Sequence, residues 1–334
     1  MNKKGDKSQE EFSLPSPAQK IKSDKISSLW SGYGSIIRQT YLLNPKDKTK
    51  TTAILKQVSA DHHAGSNFDE SHERKLISYE VERYFYKHLA KNVEGAHVAK
   101  ILDSGPDCVI IEDLSVNYPK EMYSSSPDSA KVVLKWLANF HASFWQETKE
   151  AIVPPPSKVV SKAEGVWQQG CYWYLDTRQD EFSGLDDDWK KLGIKVDEKL
   201  KGDGYTFQTL CHGDAKSANI VFNSEGTECA MYDFQYVGRG YGVKDLVYFL
   251  STGVKNAATH EKDLLGYYHQ ELLKGLARKP NGAQLAEEYT FDIMMEHYEW
   301  ALIDWLRFMK GWGMWGDYRY VENRVKEIRK KIGW

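Results

Sequence analysis

The stretch LCHGDAKSANIVF, residues 210–222, decides the fold of this chain. It places Asn219 five residues after Asp214, and MYDFQ at residues 231–235 adds a second aspartate, Asp233. This pattern suits phosphoryl transfer, because one carboxylate can take the proton of an acceptor hydroxyl while the Asn and the second Asp offer hard oxygens to Mg²⁺. The spacing matters because a single loop must hold the base and the metal ligand about one side-chain length apart.

Composition limits the classes of partner. Lys and Arg number 45 and Asp and Glu 47, which leaves a formal net charge of -2 and argues against nucleic acid or an anionic membrane as the main partner. No apolar run approaches the ~20 residues that span a bilayer. The N-terminus lacks the apolar core of a signal peptide, and the four cysteines are far apart with no CxxC pair. We therefore expect reduced thiols and a cytoplasmic location.

The order of predicted elements indicates an α+β fold in two parts. Residues 1–24 are polar and are predicted to be a tail, and residues 25–114 are rich in strand signals with one helix over 75–90. Residues 115–334 are mainly helical apart from one strand-loop-strand stretch. The chain is therefore expected to form a small N-terminal β-sheet lobe plus one helix, followed by a large, mainly helical C-terminal lobe.

The motifs also resemble those of a known group of enzymes. His-Gly-Asp-x4-Asn followed by Asp-Phe-Gln resembles the aminoglycoside phosphotransferase and choline kinase group of small-molecule kinases. The stretch DFQYVGRGYGVKDLVYFL, with its Asp245-Leu246 pair, is similar to the ecdysteroid-kinase-like (CHK-kinase-like) branch. The resemblance extends over roughly residues 28–320 and implies a bilobal protein-kinase-like fold with Mg²⁺–ATP between the lobes.

The resemblance implies a role for each catalytic-loop residue. Asp214 matches the catalytic base, and Asn219 and Asp233 match the ligands of Mg²⁺. His212 matches a histidine that orients the loop. Lys216 is a candidate to steady the charge of the transferred phosphoryl group, and a solvated loop lysine is the alternative of equal weight.

The nucleotide-binding residues are likewise implied by the resemblance. The flexible loop over the phosphates corresponds to Gly32 and Gly34, and the phosphate-contacting strand lysine to Lys56. Glu82 matches the helix glutamate that pairs with this lysine, with Glu80 as the competing candidate. In the hinge, the backbone from Glu112 to Leu114 would contact adenine. The resemblance assigns 25–114 to nucleotide binding and 115–334 to catalysis and acceptor binding.

The aromatic C-terminal segment is the candidate acceptor wall. A helix over about 291–310 would put Trp300 and Asp304 one turn apart on one face, with Arg307 three residues further. Trp312 and Trp315 follow among glycines. Aromatic faces beside a carboxylate would suit a cationic amine or a flat hydrophobic alcohol. The alternative is that these residues only pack the lobe. Arg178 and the acidic run at 184–189 are further candidates, by position alone.

The sequence therefore predicts an ATP-dependent phosphotransferase that acts on a hydroxyl of a small metabolite. A nucleotide-binding pseudokinase or scaffold is the alternative. A protein kinase is disfavoured because the loop has His-Gly-Asp in place of His-Arg-Asp, Gln235 in place of Gly, and no Ala-Pro-Glu. A metal site at His62, His63 and His72 lacks supporting ligands. The acceptor's identity and the oligomeric state are left open.

Overall fold

The computed structural model describes residues 19–44, 48–59, 69–121, 123–147, 149, 151–158, 164–202 and 204–334. These residues form an antiparallel sheet near the N-terminus and a mainly helical remainder, so the predicted α+β class is confirmed. They cluster into two compact units, one within Met1–Gly65 and Ala99–Val116 and the other within Ser66–Val98 and Asn117–Trp334.

The strands of the described residues are β1 Gln19–Ser28, β2 Gly34–Asn44, β3 Thr49–Val58, β4 His97–Val98, β5 Ile101–Gly105, β6 Cys108–Glu112, β7 Lys120–Glu121, β8 Ile152–Val153, β9 Val166–Trp167, β10 Thr209–Cys211, β11 Ile220–Phe222, β12 Cys229–Met231 and β13 Gly238–Gly240. The α-helices are α1 Glu70–Tyr84, α2 Pro127–Ser143, α3 Gln179–Ser183, α4 Asp187–Lys201, α5 Val243–Gly253, α6 Ala257–Leu276, α7 Gly282–Glu288, α8 Phe291–Trp312 and α9 Tyr318–Lys331.

The first unit is a five-stranded antiparallel sheet in the order β1-β2-β3-β6-β5. Its core consists of inward-facing apolar side chains of the three central strands: Tyr41, Ala53, Leu55, Cys108 and Ile110. The predicted hairpin around Gly32 and Gly34 is the β1–β2 connection. A Cβ on Gly34 would lie 2.0 Å from the backbone oxygen of Gln57 on β3, so only glycine fits where the hairpin meets its neighbour.

The start of β1 corrects the predicted extent of the polar tail. Residues 19–24 pair with β2, for example Ser23 with Gln39, and so belong to the sheet. Their side chains are almost all exposed, because β1 is an edge strand. A charged edge strand lacks the apolar alternation that reveals a strand in a sequence, and its lysines protect the edge from pairing with other chains. Residues 1–18 of the predicted tail lie outside the described residues.

The second unit contains the α-helices and two small four-stranded sheets, β10-β13-β9-β8 and β4-β12-β11-β7. Helix α2 packs on α6, and α8 packs on α4, α5 and α9. Aromatic rings fill the interior beside α2, where Phe85 stacks on Phe234 at 4.1 Å between ring centroids and Trp136 stacks on Phe140 at 5.2 Å. Among the described residues, no helix has the length and apolar character needed to cross a membrane.

Helix α1 belongs to this second unit, although its sequence lies within the predicted 25–114 lobe. Its side chains bind residues far along the chain: Arg74 donates to the backbone oxygen of Thr177, Lys75 Nζ to Gln235 Oε1 at 2.7 Å, and Ser78 Oγ to the same oxygen at 3.2 Å. The helix begins at Glu70, before the predicted position 75, because the Asp69 carboxylate caps it by accepting from the N–H groups of Ser71 and His72.

Candidate active site

The loop between β10 and β11 is held by a buried carboxylate on α5. Asp245 Oδ2 accepts from the His212 N–H at 2.6 Å, and its Oδ1 accepts from the Gly213 N–H at 2.9 Å. Nε2 of His141, on α2, lies 3.0 Å from Asp245 Oδ2. Gly213 has a φ of +85°, and a Cβ there would lie 1.9 Å from the Tyr236 backbone oxygen. The loop is thus pulled tightly against its neighbours at the residue before Asp214.

His212 has a structural position in this loop, as its match to the family implied. Its Nε2 lies 3.0 Å from the Tyr232 backbone oxygen, and its Nδ1 accepts from the Asp214 N–H at 3.2 Å. These two bonds require a proton on Nε2 and none on Nδ1, which is the neutral ring. Burial lowers the pKa of His212 against the opposing charge of Asp245. Both ring nitrogens are used to shape the loop.

We expect His212 to make the free energy of unfolding depend on pH. Its folded pKa lies below the ordinary value of about 6.5. Its contribution is therefore complete above about pH 6.5 and is lost as the pH falls towards the folded pKa, because the unfolded chain takes up the proton first. Denaturant titrations from pH 7.5 to 5 should give a shallower dependence for His212→Asn, by up to about 1.4 kcal/mol per pH unit.

A second histidine sharpens this measurement. Burial lowers the pKa of His297, which stacks on Tyr241 at 3.8 Å, to about 4. The double variant His212→Asn/His297→Asn should flatten the curve further than either single change. Parallel curves for wild type and both variants would contradict the neutral, buried state of these rings.

The Asp214 carboxylate has one held oxygen and one oxygen without a partner. Oδ2 accepts from Lys216 Nζ at 2.8 Å and from Asn219 Nδ2 at 2.8 Å. Oδ1 is buried and has no partner with hydrogen-bond geometry among the described residues, and the Tyr248 hydroxyl lies close enough to the carboxylate for Asp214 to raise the pKa of Tyr248. Burial raises the pKa of Asp214, Lys216 opposes this rise, and the charge of Asp233 adds to it. An oriented carboxylate with a raised pKa and a vacant buried oxygen has the properties of a general base.

Lys216 is paired with the Asp214 carboxylate and is partly exposed. Burial disfavours its charge, but the Asp214 carboxylate outweighs burial and raises the pKa of the lysine. The ammonium group is therefore charged and lies beside Asp214. Its Nζ lies 2.8 Å from Asp214 Oδ2, and the catalytic role of Lys216 stays a prediction.

Asn219 and Asp233 have the donor chemistry that a divalent cation requires. The Asn219 Nδ2 donates to both the backbone oxygen and Oδ2 of Asp214, at 2.9 and 2.8 Å, which leaves the amide oxygen as its ligand atom. Asp233 lies two residues after the end of β12. Its φ is +68°, which is uncommon for residues other than glycine. Its carboxylate is close enough to Asp214 to raise the pKa of that residue. An amide oxygen and a carboxylate suit Mg²⁺.

Helix α1 brings a further carboxylate to this region. Burial raises the pKa of Tyr86 well above its ordinary value, and the charges of Glu82 and Asp233 both add to that rise, so the two carboxylates lie near one phenol. Glu82 is buried, whereas the competing Glu80 is partly exposed and bonds to Arg83 on its own helix. The side chain directed inwards is the one that the resemblance favoured.

The remaining predicted nucleotide residues lie in the sheet unit. Lys56 is buried on β3, where it pairs across the sheet with Ile36 and Val109. Glu112 ends β6, and its N–H donates to the Lys100 backbone oxygen at 2.8 Å. This N–H is therefore not available to the adenine ring of a nucleotide. Leu114 begins a short 3₁₀ turn. The nucleotide roles of Gly32, Gly34, Lys56, Glu112 and Leu114 stay predictions.

The predicted acceptor residues separate into two groups. Asp304 and Arg307 are buried and bonded to each other at 2.7 Å, and Arg307 also donates to the Trp173 backbone oxygen at 2.8 Å. These bonds join the two side chains to each other and α8 to Trp173. The spacing of the residues along the helix could not reveal these partners. Trp300 is partly buried and forms no ring contact with other described residues. Acceptor binding by these three residues stays a prediction without geometric support.

Trp312 and Trp315, in contrast, belong to an aromatic cluster that reaches the loop between β10 and β11. Trp312 stacks on Phe308 at 5.8 Å, and Trp315 contacts Tyr248 at 5.5 Å. Tyr248 contacts Tyr172 at 5.6 Å, and the Tyr172 N–H donates to Gly213 O at 3.1 Å. Burial raises the pKa of Tyr172 and Tyr248, and the Asp214 charge adds to both rises.

The sequence did not indicate that Tyr172 and Tyr248 lie near Asp214. Tyr248 is one of many apolar residues on α5, and Tyr172 lies in the stretch CYWY, which carries no motif. No group of histidine, cysteine and acidic side chains able to hold a metal on its own occurs within the described residues. His62 and His63 lie outside them, and His72 lies on α1.

Comparison with known proteins supports the resemblance over the part of the chain that carries the motifs. Residues 173–279 match the model of the Ecdysteroid kinase-like family, and this stretch contains Asp214, Asn219 and Asp233. The predicted resemblance is confirmed there. No curated protein matches the sequence closely enough to count as a relative.

Several solved structures of small-molecule kinases are similar to the chain. Choline kinase from Cryptosporidium parvum Iowa II has a TM-score of 0.46 at 11% identity and covers 94% of this chain and 89% of its own. Ethanolamine kinase from Plasmodium vivax has a TM-score of 0.41 at 14% identity, with 92% and 81% covered. Macrolide 2'-phosphotransferase from Brachybacterium faecium has a TM-score of 0.43 at 12% identity, with 91% and 90% covered.

Proposed function

We propose that this protein is an ATP- and Mg²⁺-dependent kinase that phosphorylates a hydroxyl group of a small metabolite. The observation that carries the proposal is the Asp214 carboxylate, with Oδ2 held by Lys216 and Asn219 and Oδ1 buried without a partner. A buried unpaired oxygen costs stability, and a substrate hydroxyl that donates to it would remove that cost.

The base acts through orientation as well as proton affinity. With Oδ2 fixed by two donors, Oδ1 meets the acceptor hydroxyl and takes its proton as the oxygen attacks phosphorus. The Lys216 ammonium group, which stays beside Oδ2, faces the negative charge of the transferred group. Holding these groups in place supplies much of the rate in phosphoryl transfer.

Asn219 and Asp233 would hold the metal. Bound Mg²⁺ would neutralise charge on the nucleotide phosphates. The oxygens of Asn219 and Asp233 suit this ion, and Glu82 lies near the Tyr86 phenol, as does Asp233. We propose that Lys56, supported by Glu82, contacts the phosphates, and that Gly32, Gly34 and the 112–114 backbone complete nucleotide binding.

The proposal is tested by a product screen. The purified protein is incubated with Mg²⁺–ATP and a library of alcohols arranged as uncharged and cationic pairs, and mass spectrometry searches for phosphate esters. An ester that requires Mg²⁺, ATP and Asp214 supports the proposal. Mg²⁺-dependent ATP binding without any ester, and without Asp214-dependent ATP hydrolysis, would instead favour the scaffold.

A further inference from the structure

A buried arginine lies inside the aromatic cluster that adjoins the catalytic loop. The Arg178 guanidinium carbon is 5.3 Å from the centroid of Tyr172, 5.2 Å from Phe308 and 5.2 Å from Trp312. We call these three rings the cage. Arg178 is only 3% exposed, so the guanidinium is enclosed rather than lying along the surface. Distances below about 6 Å to a ring face are those of cation–π attraction.

Arg178 is fixed in the cage by polar contacts. Its Nε donates to the Tyr172 backbone oxygen at 2.7 Å, and its Nη1 donates to Glu181 Oε1 at 3.1 Å. Arg74 lies close enough that its charge, after burial, lowers the pKa of Arg178, whereas Tyr236 and Glu181 oppose this effect. An arginine remains charged under any of these influences.

The cage lies next to the proposed base. Tyr172 forms one wall, and its N–H donates to the oxygen of Gly213, the residue before Asp214. Tyr172 is partly exposed and the outermost ring, Trp312, is 56% exposed, so a small molecule can reach the open sides of both. Cage and base therefore border the same part of the second unit.

Resting on the proposed function, we propose that Arg178 determines acceptor specificity: its guanidinium occupies the position among Tyr172, Phe308 and Trp312 that a cationic acceptor would take. The site then accepts alcohols without a positive charge and rejects amino alcohols. A second cation would meet ring faces that are already used, and it would be repelled by the resident charge. An uncharged apolar alcohol loses nothing to either effect and gains contact with the outer ring surfaces.

The variant Arg178→Met should reverse this selectivity. It removes the guanidinium charge from the cage while keeping an unbranched, flexible side chain, and it leaves the Glu181 carboxylate without its partner beside three aromatic rings. Rings together with a carboxylate form a site for quaternary ammonium ions. In Arg178→Met/Glu181→Gln the carboxylate is also removed, so the gain in affinity for a cation should shrink.

Tetramethylammonium tests the cage without any need for catalysis. Calorimetric titration should show no saturable binding to the wild type. Arg178→Met should bind tetramethylammonium saturably, with an affinity at least about tenfold above the limit that the wild-type titration sets. Arg329→Met is the matched control, because Arg329 on α9 also lies over a tryptophan ring. Its guanidinium carbon is 5.1 Å from the centroid of Trp189 on α4. This control should not gain binding. Saturable binding to the wild type, or no gain in a folded Arg178→Met, would overturn the proposal.

A matched pair of acceptors tests the specificity itself. Choline and 3,3-dimethylbutan-1-ol share size and shape, and they differ in charge because a carbon replaces the nitrogen. The wild type should form the ester of the uncharged alcohol with kcat/KM at least about tenfold higher, and Arg178→Met should lower that ratio by a similar factor. Preference of the wild type for choline would refute the specificity and leave the kinase proposal intact.

The two proposals can therefore fail separately. If no alcohol in the library is phosphorylated and no Asp214-dependent ATP hydrolysis occurs, the kinase proposal fails, and the tetramethylammonium titration still decides whether Arg178 occupies a cation position. If Arg178→Met does not fold, as judged by circular dichroism, the wild-type titration and the wild-type alcohol pair remain decisive.

Discussion

Asp214→Asn is expected to lower the rate of phosphate-ester formation by about 10³-fold, within the range that general-base catalysis contributes. An amide has nearly the shape of the carboxylate, and its oxygen can still accept from Lys216 and Asn219. Its NH₂ group would then take the place of Oδ1, and it cannot accept a proton from the acceptor hydroxyl. The loss should fall on kcat, with a smaller change in KM.

The measurement requires evidence that the fold is kept. Circular dichroism and the melting temperature should match the wild type, or the variant should be slightly more stable, because an amide is less costly to bury here than a carboxylate with an unpaired oxygen. Asp263→Asn, an exposed change on α6, is the matched control and should leave the rate unchanged. A folded Asp214→Asn that keeps more than about a tenth of the activity would exclude Asp214 as the base.

The geometry of the loop between β10 and β11 was predictable because its side chains are close together in the sequence. Asp214, Lys216 and Asn219 lie within six residues, and in the structure the Lys216 and Asn219 side chains both donate to Asp214 Oδ2. Spacing along a short loop limits how far apart side chains can lie, so a sequence carries most of that geometry. The sheet was predictable for a similar reason, since β3 contains the apolar run 53–55 and β6 the apolar run 108–111.

The contacts between distant segments were not predictable. Periodicity indicates that Asp304 and Arg307 share a face of α8, but not that both are buried and bonded to each other. Likewise, Arg178 carries no motif, and its contact with Phe308 and Trp312 joins segments more than 100 residues apart. A single sequence says which side chains are apolar or charged, whereas their partners depend on how helices pack.

Asp245→Asn is expected to have the largest effect on stability, because Asp245 is a fully buried carboxylate with three partners. It accepts from two adjacent N–H groups of the catalytic loop and lies 3.0 Å from His141 Nε2. An asparagine would accept with one oxygen and turn its NH₂ towards donors, so at least one buried N–H would lose its partner. Breaking such a buried network costs about 3–5 kcal/mol.

Differential scanning calorimetry should show a fall in Tm of roughly 6–20 °C, from the 2–4 °C per kcal/mol of domains of 150–250 residues. Activity should also fall at temperatures where the variant is fully folded. The two N–H groups that Asp245 holds belong to His212 and Gly213, and their position sets the direction of the Asp214 side chain. Ser251→Ala, a buried change on the same helix, serves as the control for disturbance of α5. If Asp245→Asn lowered Tm no more than this control and kept full activity, the carboxylate would not be what holds the loop, and the Asp214 geometry would have to rest on Gly213 and its contact with Tyr236 alone.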